Sequence, residues 1–368
     1  MIIQGLRLDH FRNLAGGVAP LHPELTVLCG DNGQGKTNFL EAIYLLAALR
    51  SFRSPRLGEC IRWGEVEARL EGQVESRSRS CGISVTLRPG SREVSVDGKR
   101  VARVRDFRGD FTAVVFTPED LSLAREPPIE RRRLLDRGVF TSAPVHLADL
   151  LDYQRALRAR NALLRAGLAS GENALAHTAT LARLGAVVVA RRLRWIASLR
   201  PRLAEVFREV AATEATADLA YEPSVPGMAS SSAEDEIERS LLDHWERARE
   251  RDLARGYTGT GPHADDLGLS LGGRPLRQAG SQGQQRAFVL ALKLAEIRLV
   301  EEARGELPTL LLDDVGSELD LRRRTELFRH LSRLAGQVLV TTTAPELVPL
   351  SRERFQYRVY GGALTREI

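Results

Sequence analysis

Hydrophobic residues fall into three patterns along the chain. Residues 25–29, 113–116 and 308–312 are short, continuous apolar runs, which predict buried strands. Residues 36–49 carry Phe39, Leu40, Ile43, Leu46 and Ala47 at 3.6 spacing, which predicts a helix soon after the first of those strands. From about 65 to 104 the period drops to two. Stretches 67–70, 82–87 and 93–96 read as strands, and Asp97-Gly98 supplies a hairpin turn. An antiparallel sheet is therefore expected as an insertion after the first strand–helix unit. Residues 2–8 alternate loosely and predict an opening strand, with Phe11-Arg12-Asn13-Leu14 as a turn.

Residues 128–255 read as helical, most clearly at 155–164 and 175–199, with breaks at 167–171 and at Pro201. Residues 222–232 form a loop, and 233–251 resume as a charged helix. The C-terminal third alternates: a glycine-rich loop at 257–263, a strand at 267–271, a helix from Ser281 to about 303, and the apolar strand at 308–312. A helix at 319–334, a strand at 337–340, a short helix at 345–350 and a last strand at 355–360 follow. Such alternation implies parallel strand order. The expected fold is α/β, a parallel core with an antiparallel β insert plus an inserted α-helical lobe. The core takes residues 1–127 and 256–368, its helix 281–303 docking to a lobe of residues 128–255.

Composition narrows the class. The chain has 368 residues, 43% hydrophobic and 27% charged, an ordinary globular balance with length for two domains. The first 16 residues include Arg7, Asp9, His10 and Arg12 and have no apolar centre, unlike a signal peptide. No continuous apolar run approaches the ~18 residues of a membrane span, so no membrane association is expected. Cys29, Cys60 and Cys81 form no C-x-x-C pair, which argues for reduced thiols, a cytoplasmic setting and no zinc. Net charge is +5, which favours an anionic partner. Of the 53 basic residues only Lys36, Lys99 and Lys293 are lysine, so the placement of arginines matters more than their number.

Gly30-Asp31-Asn32-Gly33-Gln34-Gly35-Lys36-Thr37 lies between the first buried strand and its helix. It reads G-x-x-x-x-G-K-T, a phosphate-binding loop in the strand–loop–helix context that such a loop requires. Glycines let the backbone turn its N–H groups inward, and the helix dipole adds positive potential. Lys36 would reach the β- and γ-phosphates of a nucleoside triphosphate, and Thr37 would place its hydroxyl on Mg²⁺. The 308–312 strand ends in Asp313-Asp314 and is expected beside the phosphate-loop strand. Asp313 would then hold the metal and Asp314 would polarise an attacking water. Ser281 and Gln284 have capping-box spacing, so a helix starts there. Gly283 in its first turn costs ~1 kcal/mol against alanine, which suits close approach to a terminal phosphate. Ser317-Glu318-Leu319-Asp320 precedes the last long helix.

This ordered set resembles the ATP-binding-cassette ATPases of the SMC-like head class. Ser281-Gln282-Gly283-Gln284-Gln285-Arg286 is similar to their signature motif, and 317–320 to their D-loop. Phe11-Arg12-Asn13-Leu14, Ser51-Phe52-Arg53, Thr117-Pro118-Glu119-Asp120-Leu121, Arg131 to Asp136, Gly261-Pro262-His263 and Leu312-Asp313-Asp314 are similar to the RecF family over the whole chain. The resemblance implies an ATP- and Mg²⁺-dependent head that dimerises around nucleotide, Lys36 and Thr37 acting in cis and Ser281, Gly283 and Gln284 in trans. Arg12 and Asn13 join the nucleotide site, and Glu119 takes the place of the glutamine loop as a metal or water sensor. It also implies a DNA partner, RecR and RecO as further partners, and a role in recombinational repair, fork maintenance, SOS induction and recombinase loading. The chain departs from many cassettes in lacking a histidine after 337–340, where Thr341 stands, and in carrying Asp314 for glutamate. Both departures point to weak, switch-like hydrolysis.

Arginine clusters supply candidate DNA contacts: Arg131 and Arg132, Arg155 and Arg158, Arg191 and Arg194, along with Arg50, Arg53, Arg56 and 322–324. Few aromatics interleave them, so salt-sensitive phosphate contacts are expected. Two other readings fit the phosphate loop alone. The ATPase subunit of a transporter would need the loop glutamine and histidine. A small-metabolite kinase would not need the Ser281 motif. A coiled-coil SMC protein is excluded by length, since 175–199 holds no more than a short helical hairpin.

Overall fold

Strands that are apolar at every position are buried on both faces, and strands that alternate are buried on one. The chain builds one six-stranded sheet around each kind, as its computed structural model shows. Described are all residues except 77–78, 169–170, 212–214, 229–232, 315–323, 326–327, 329, 331–335, 350–352 and 368. They divide into two compact units, Met1–Ser122 with Glu209–Ala211 and Arg286–Ile368, and Leu123–Arg208 with Ala212–Gln285.

The first unit holds both sheets. Its alternating strands are β1 (Ile2–Asp9), β2 (Gly17–Pro20), β4 (Ala68–Glu75), β5 (Ser80–Arg88), β6 (Ser91–Val96) and β7 (Lys99–Arg100), in the antiparallel order β2-β1-β4-β5-β6-β7. The other sheet runs β15-β14-β3-β13-β12-β8. Its members are β3 (Leu25–Cys29), β8 (Ala113–Phe116), β12 (Thr309–Asp313), β13 (Val338–Thr342), β14 (Arg354–Tyr360) and β15 (Ala363–Arg366). All pair in parallel except the β14–β15 hairpin. Strands β3, β8, β12 and β13 are buried at every residue.

One expectation fails here. The acidic strand β12 does not lie beside the phosphate-loop strand β3, because β13 pairs in parallel with both. Three equally apolar runs cannot reveal their order, since neighbour choice depends on crossover connections. Helix α1 (Lys36–Ala48) follows β3 and is buried along almost its whole length. It presses on β4 at Gly72, where a β-carbon would lie 2.7 Å from Leu46. Fully buried Gln337 ties the sheets together, exchanging hydrogen bonds with the Ile3 backbone at 2.7 and 2.8 Å. Helix α2 (Pro118–Leu121) caps the end of β8.

The second unit is mostly helical. It contains α3 (Pro128–Ser142), α4 (His146–Arg165), most of α5 (Glu172–Ala211), α6 (Glu234–Arg247), α7 (Arg249–Arg255) and α8 (Leu276–Ala279). A small antiparallel sheet joins them: β9 (Ala217–Glu222), β10 (Asp266–Leu271) and β11 (Arg274–Pro275). Helix α9 (Gln282–Arg304) starts in this unit and continues in the first.

The structure differs from the sequence reading in four further places. Residues 256–285, assigned to the core, group with the second unit because β10 pairs with β9 along six residues. Strand β9 itself lies inside the 128–255 stretch, which the sequence read as helices and loops without a strand. Pro201 does not break α5. Leu199, Leu203, Val206 and Phe207 are fully buried on either side of it. Burying each contributes ~1.5–3 kcal/mol, which outweighs a proline cost of ~3 kcal/mol. The expected short helix at 345–350 is a single 3₁₀ turn, Pro345–Leu347. Most of the expected helix at 319–334 lies outside the described residues. By length and composition α5 could cross a membrane. Here Leu181, Val188 and Val189 instead pack with Leu150, Ile237, Leu241 and Trp245 as the core of the unit.

Candidate functional site

The phosphate loop is shaped by close backbone approach. Gly30 has φ 153°, and a β-carbon there would lie 2.3 Å from the Val359 carbonyl oxygen on neighbouring β14. Any side chain would push the loop off the sheet. Buried Lys36 folds back across the loop, Nζ donating to the carbonyls of Gly30 at 2.6 Å and Asp31 at 2.8 Å. The ammonium therefore stands over the curl of the loop, at the N-terminus of α1, where charge and dipole favour an anion.

The acidic strand reaches this site across β13. Thr37 Oγ1 donates to Asp313 Oδ1 at 2.7 Å, and Thr341 Oγ1 on β13 donates to the same oxygen at 2.8 Å. Thr341 also accepts from the Asp314 amide at 2.9 Å. Asp314 takes a left-handed φ of 46°, a strained turn for a non-glycine residue. Burial pushes the Asp313 carboxyl above the ordinary carboxylate range, the two hydroxyl donors oppose that, and the charge of exposed Glu119 adds to it. Among the described residues no cation lies within ion-pair distance of Asp313. A buried carboxylate next to a threonine hydroxyl, with its charge uncompensated, fits Mg²⁺. That ion typically takes one or two protein oxygens and completes its shell with phosphate and water. Among the described residues no cluster of three or more His, Cys, Asp or Glu is gathered to hold a metal by itself.

Two expected nucleotide ligands, Arg12 and Asn13, make contacts that brace the loop and its helix. Arg12, at a left-handed φ of 49°, grips fully buried Glu41 of α1 through Nε at 3.0 Å and Nη2 at 2.8 Å, and donates to the Glu59 carbonyl at 2.7 Å. Burial would lower the Arg12 pKa, but Glu41 more than restores it. Cys60 also abuts Glu41, and burial with that charge pushes its thiol up to about 12. Asn13 donates to the Gly33 carbonyl at 3.3 Å and accepts from Asn38, whose own oxygen accepts from Arg53 at 2.7 Å.

The sequence reading missed a second brace. At the β14–β15 turn, the Gly361 amide donates to Gln34 Oε1 at 2.6 Å and the Gly362 amide to the Gln34 carbonyl at 3.0 Å. A β-carbon on Gly362 would lie 1.9 Å from the Asn13 carbonyl oxygen. The Gly-Gly pair after a predicted strand was the available signal, and it pointed to a turn without saying what the turn touches.

Glu119 sits exposed on α2, whose capping box joins Thr117 and Asp120. Buried Asp120 faces buried Lys293 of α9 at 3.7 Å. Ser281 and Gln284 form the expected capping box at the start of α9, at 3.2 and 2.9 Å, with Gly283 in the first turn. They belong to the second unit, whereas the phosphate loop belongs to the first. Residues 317–320 lie outside the described residues.

The candidate DNA arginines are mostly engaged. Arg131 pairs with Asp266 at 2.8 Å, Arg132 donates to the Asp265 carbonyl at 2.7 Å, and Arg191 pairs with Asp149 at 3.0 Å. Arg194 reaches Glu234 at 3.2 Å, and exposed Arg155 reaches Asp152 at 2.8 Å. Arg158 is exposed on α4.

Comparison with known proteins followed this geometry. The family model described as RecF/RecN/SMC N terminal domain matches residues 2–361. A "DNA replication and repair protein RecF" of Anaeromyxobacter dehalogenans (strain 2CP-C) is 43% identical over 352 residues, 95% of this chain and 94% of that protein. One of Myxococcus xanthus is 41% identical over 350 residues, 95% of this chain and 92% of that protein. A solved structure described as the recombination mediator protein RecF-ATPrS in the RecFOR pathway superposes with TM-score 0.88 at 29% identity, covering 100% of this chain and 98% of that one. An SMC head bound to the C-winged helix domain of ScpA matches with TM-score 0.54 at 16% identity, a likeness of fold alone.

Proposed function

The chain belongs to the RecF family of DNA replication and repair proteins, and on that premise we propose that it is an ATP-gated, DNA-binding switch of recombinational repair. The observation that carries the reading is the bond between Thr37 Oγ1 and Asp313 Oδ1, which joins the phosphate loop to the acidic strand end. Lys36 holds the β- and γ-phosphates as a point charge. Thr37 and Asp313 hold Mg²⁺, which when bound neutralises charge on those phosphates. Asp314 orients the attacking water, and Glu119 senses it from α2. Ser281, Gly283 and Gln284 meet the γ-phosphate bound by a second copy of the chain, so ATP closes a dimer and slow hydrolysis reopens it. The closed dimer holds DNA, cooperates with RecR and RecO, and supports fork maintenance, SOS induction and recombinase loading. With neutral Thr341 facing Asp313 and no histidine at that strand end, turnover is slow.

Sedimentation of wild type, Lys36→Arg, Asp313→Asn and Ser281→Arg with and without ATP and DNA tests the reading. ATP is expected to convert wild type to a dimer, and Lys36→Arg and Ser281→Arg to abolish the conversion. An ATP-independent mass, or a Ser281→Arg chain that still dimerises, refutes it.

A further inference from the structure

Exposed positive charge also gathers away from the arginines singled out above. The sequence from β7 onward reads Lys99-Arg100-Val101-Ala102-Arg103-Val104-Arg105-Asp106-Phe107-Arg108, and its five basic side chains are all exposed. Among the described residues the side chains of Lys99, Arg103 and Arg108 make no hydrogen bond or ion pair. Arg100 is 74% exposed and meets Glu93 at 3.3 Å. Lys99, Arg100 and Arg108 also line a groove of about 410 Å³, with Arg79 on its rim, Val96, Val101 and Phe107 along it, and Asp97, Asp106 and Asp110 as its acids. Arg79 is already paired with Asp97.

We propose that edge strand β7 and the connector that follows it, residues 99–108, form the surface on which the protein holds the phosphate backbone of DNA, an inference that rests on the DNA-binding reading above. Unpaired guanidinium groups match phosphate oxygens in fork geometry. The basic positions recur every one to three residues, first on β7 and then along a connector that includes a 3₁₀ turn, Val104–Asp106, so several cations are offered within one short stretch of surface. The segment's one aromatic, Phe107, is buried, so bases find nothing to stack on and contact stays with the backbone. An acidic polypeptide would call for exposed apolar anchors among the charges, and the exposed side chains here offer only Ala102.

Anisotropy of a labelled random-sequence duplex, titrated with the full chain between about 50 and 200 mM salt, tests the surface. The triple variant Lys99→Ala/Arg103→Ala/Arg108→Ala is expected to bind at least about tenfold more weakly, with a log–log salt slope shallower by ~0.9 per lost phosphate contact. Its affinity for ATP and its melting temperature should match wild type. Should the alanine triple melt early, the glutamine triple at the same positions takes its place. Wild-type affinity and slope in the variant overturn the proposal while leaving DNA binding intact. Loss of polyglutamate binding with DNA binding unchanged overturns it in favour of an acidic protein. Failure of wild type to bind DNA with or without ATP overturns the underlying reading as well.

Discussion

Asp313 in the nucleotide site and Asp136 in the helical unit are both withdrawn from water, yet their surroundings are opposite. Asp136 is gripped on both oxygens by Arg192, at 2.9 and 3.0 Å, and meets His146 at 3.1 Å. Burial alone would raise its pKa, but those partners hold it well below the usual carboxylate range. Arg192 donates a third bond to the Pro262 carbonyl at 2.6 Å. Close by, Tyr153 meets His263 at 2.7 Å, and His263 meets the Thr258 carbonyl at 2.9 Å. The network is closed. Asp313 has two hydroxyl donors, no ion-pair partner among the described residues, and a pKa raised by burial. On the function proposed above, the difference separates a charge that fastens the fold from a charge poised for a ligand. It also sorts the sequence motifs: Asp136 and Gly261-Pro262-His263 carry family resemblance as architecture, and Asp313 carries it as chemistry.

The strongest way to break this contrast is Arg192→Met. It strands a buried carboxylate, which should cost about 3–5 kcal/mol of unfolding free energy, read by denaturant melts. Nucleotide affinity of the folded fraction should not change. A loss below about 1 kcal/mol would mean that Asp136 is not buried charge in any energetic sense. Next is Gly362→Ala, whose β-carbon meets the Asn13 carbonyl. Displacement of the turn from Gln34 should weaken ATP binding about tenfold by calorimetry, with about 1–3 kcal/mol of strain. Unaltered affinity would remove the turn from the site.

Asp313→Asn should behave as the mirror image of Arg192→Met. The folded state no longer holds a desolvated charge, so stability stays level or rises by about 1 kcal/mol, while Mg²⁺-dependent retention of nucleotide is lost. Destabilisation comparable to Arg192→Met would make Asp313 structural. The smallest effect is in acid. The folded pKa of Asp136 lies below its unfolded value of about 3.9. The stability it contributes is therefore fully present above that value and is lost as pH falls through it toward the folded pKa. Arg192→Met should flatten this acid limb in a pH series of melts, and Asp313→Asn should leave the Asp136 contribution to it intact.

Much of the molecule could be read from one dimension. The period-two stretch gave the antiparallel sheet, the continuous apolar runs gave the parallel strands, and Ser281 with Gln284 gave the start of α9. Lys36, Thr37 and Asp313 were found because their chemistry is local: loop, helix start and strand end each need particular residues at fixed spacing. Glu41 and Gly361-Gly362 escaped because nothing near them in sequence needs them, and Thr341 was noticed only as the residue standing where many cassettes have a histidine. Glu41 is a lone acid on an apolar helix, and its partner Arg12 lies 29 residues away. The arginine clusters were legible as positions but not as partners. Spacing can place Arg131, Arg191 and Arg194 on helix faces, but it cannot say that Asp266, Asp149 and Glu234 face them.

By itself, the sequence determined that the chain curls a glycine loop between a buried strand and a helix, and that a paired acid ends another strand. Those features follow from backbone sterics and side-chain period, which act over a few residues. Tertiary structure alone decided that β13 lies between the two strands, so that Thr341 joins Thr37 on Asp313. It also set the Gly362 turn under Gln34 and closed Arg192 over Asp136. Each of these depends on which distant segments pack together, and packing energy is shared among many contacts with no imprint at any one position.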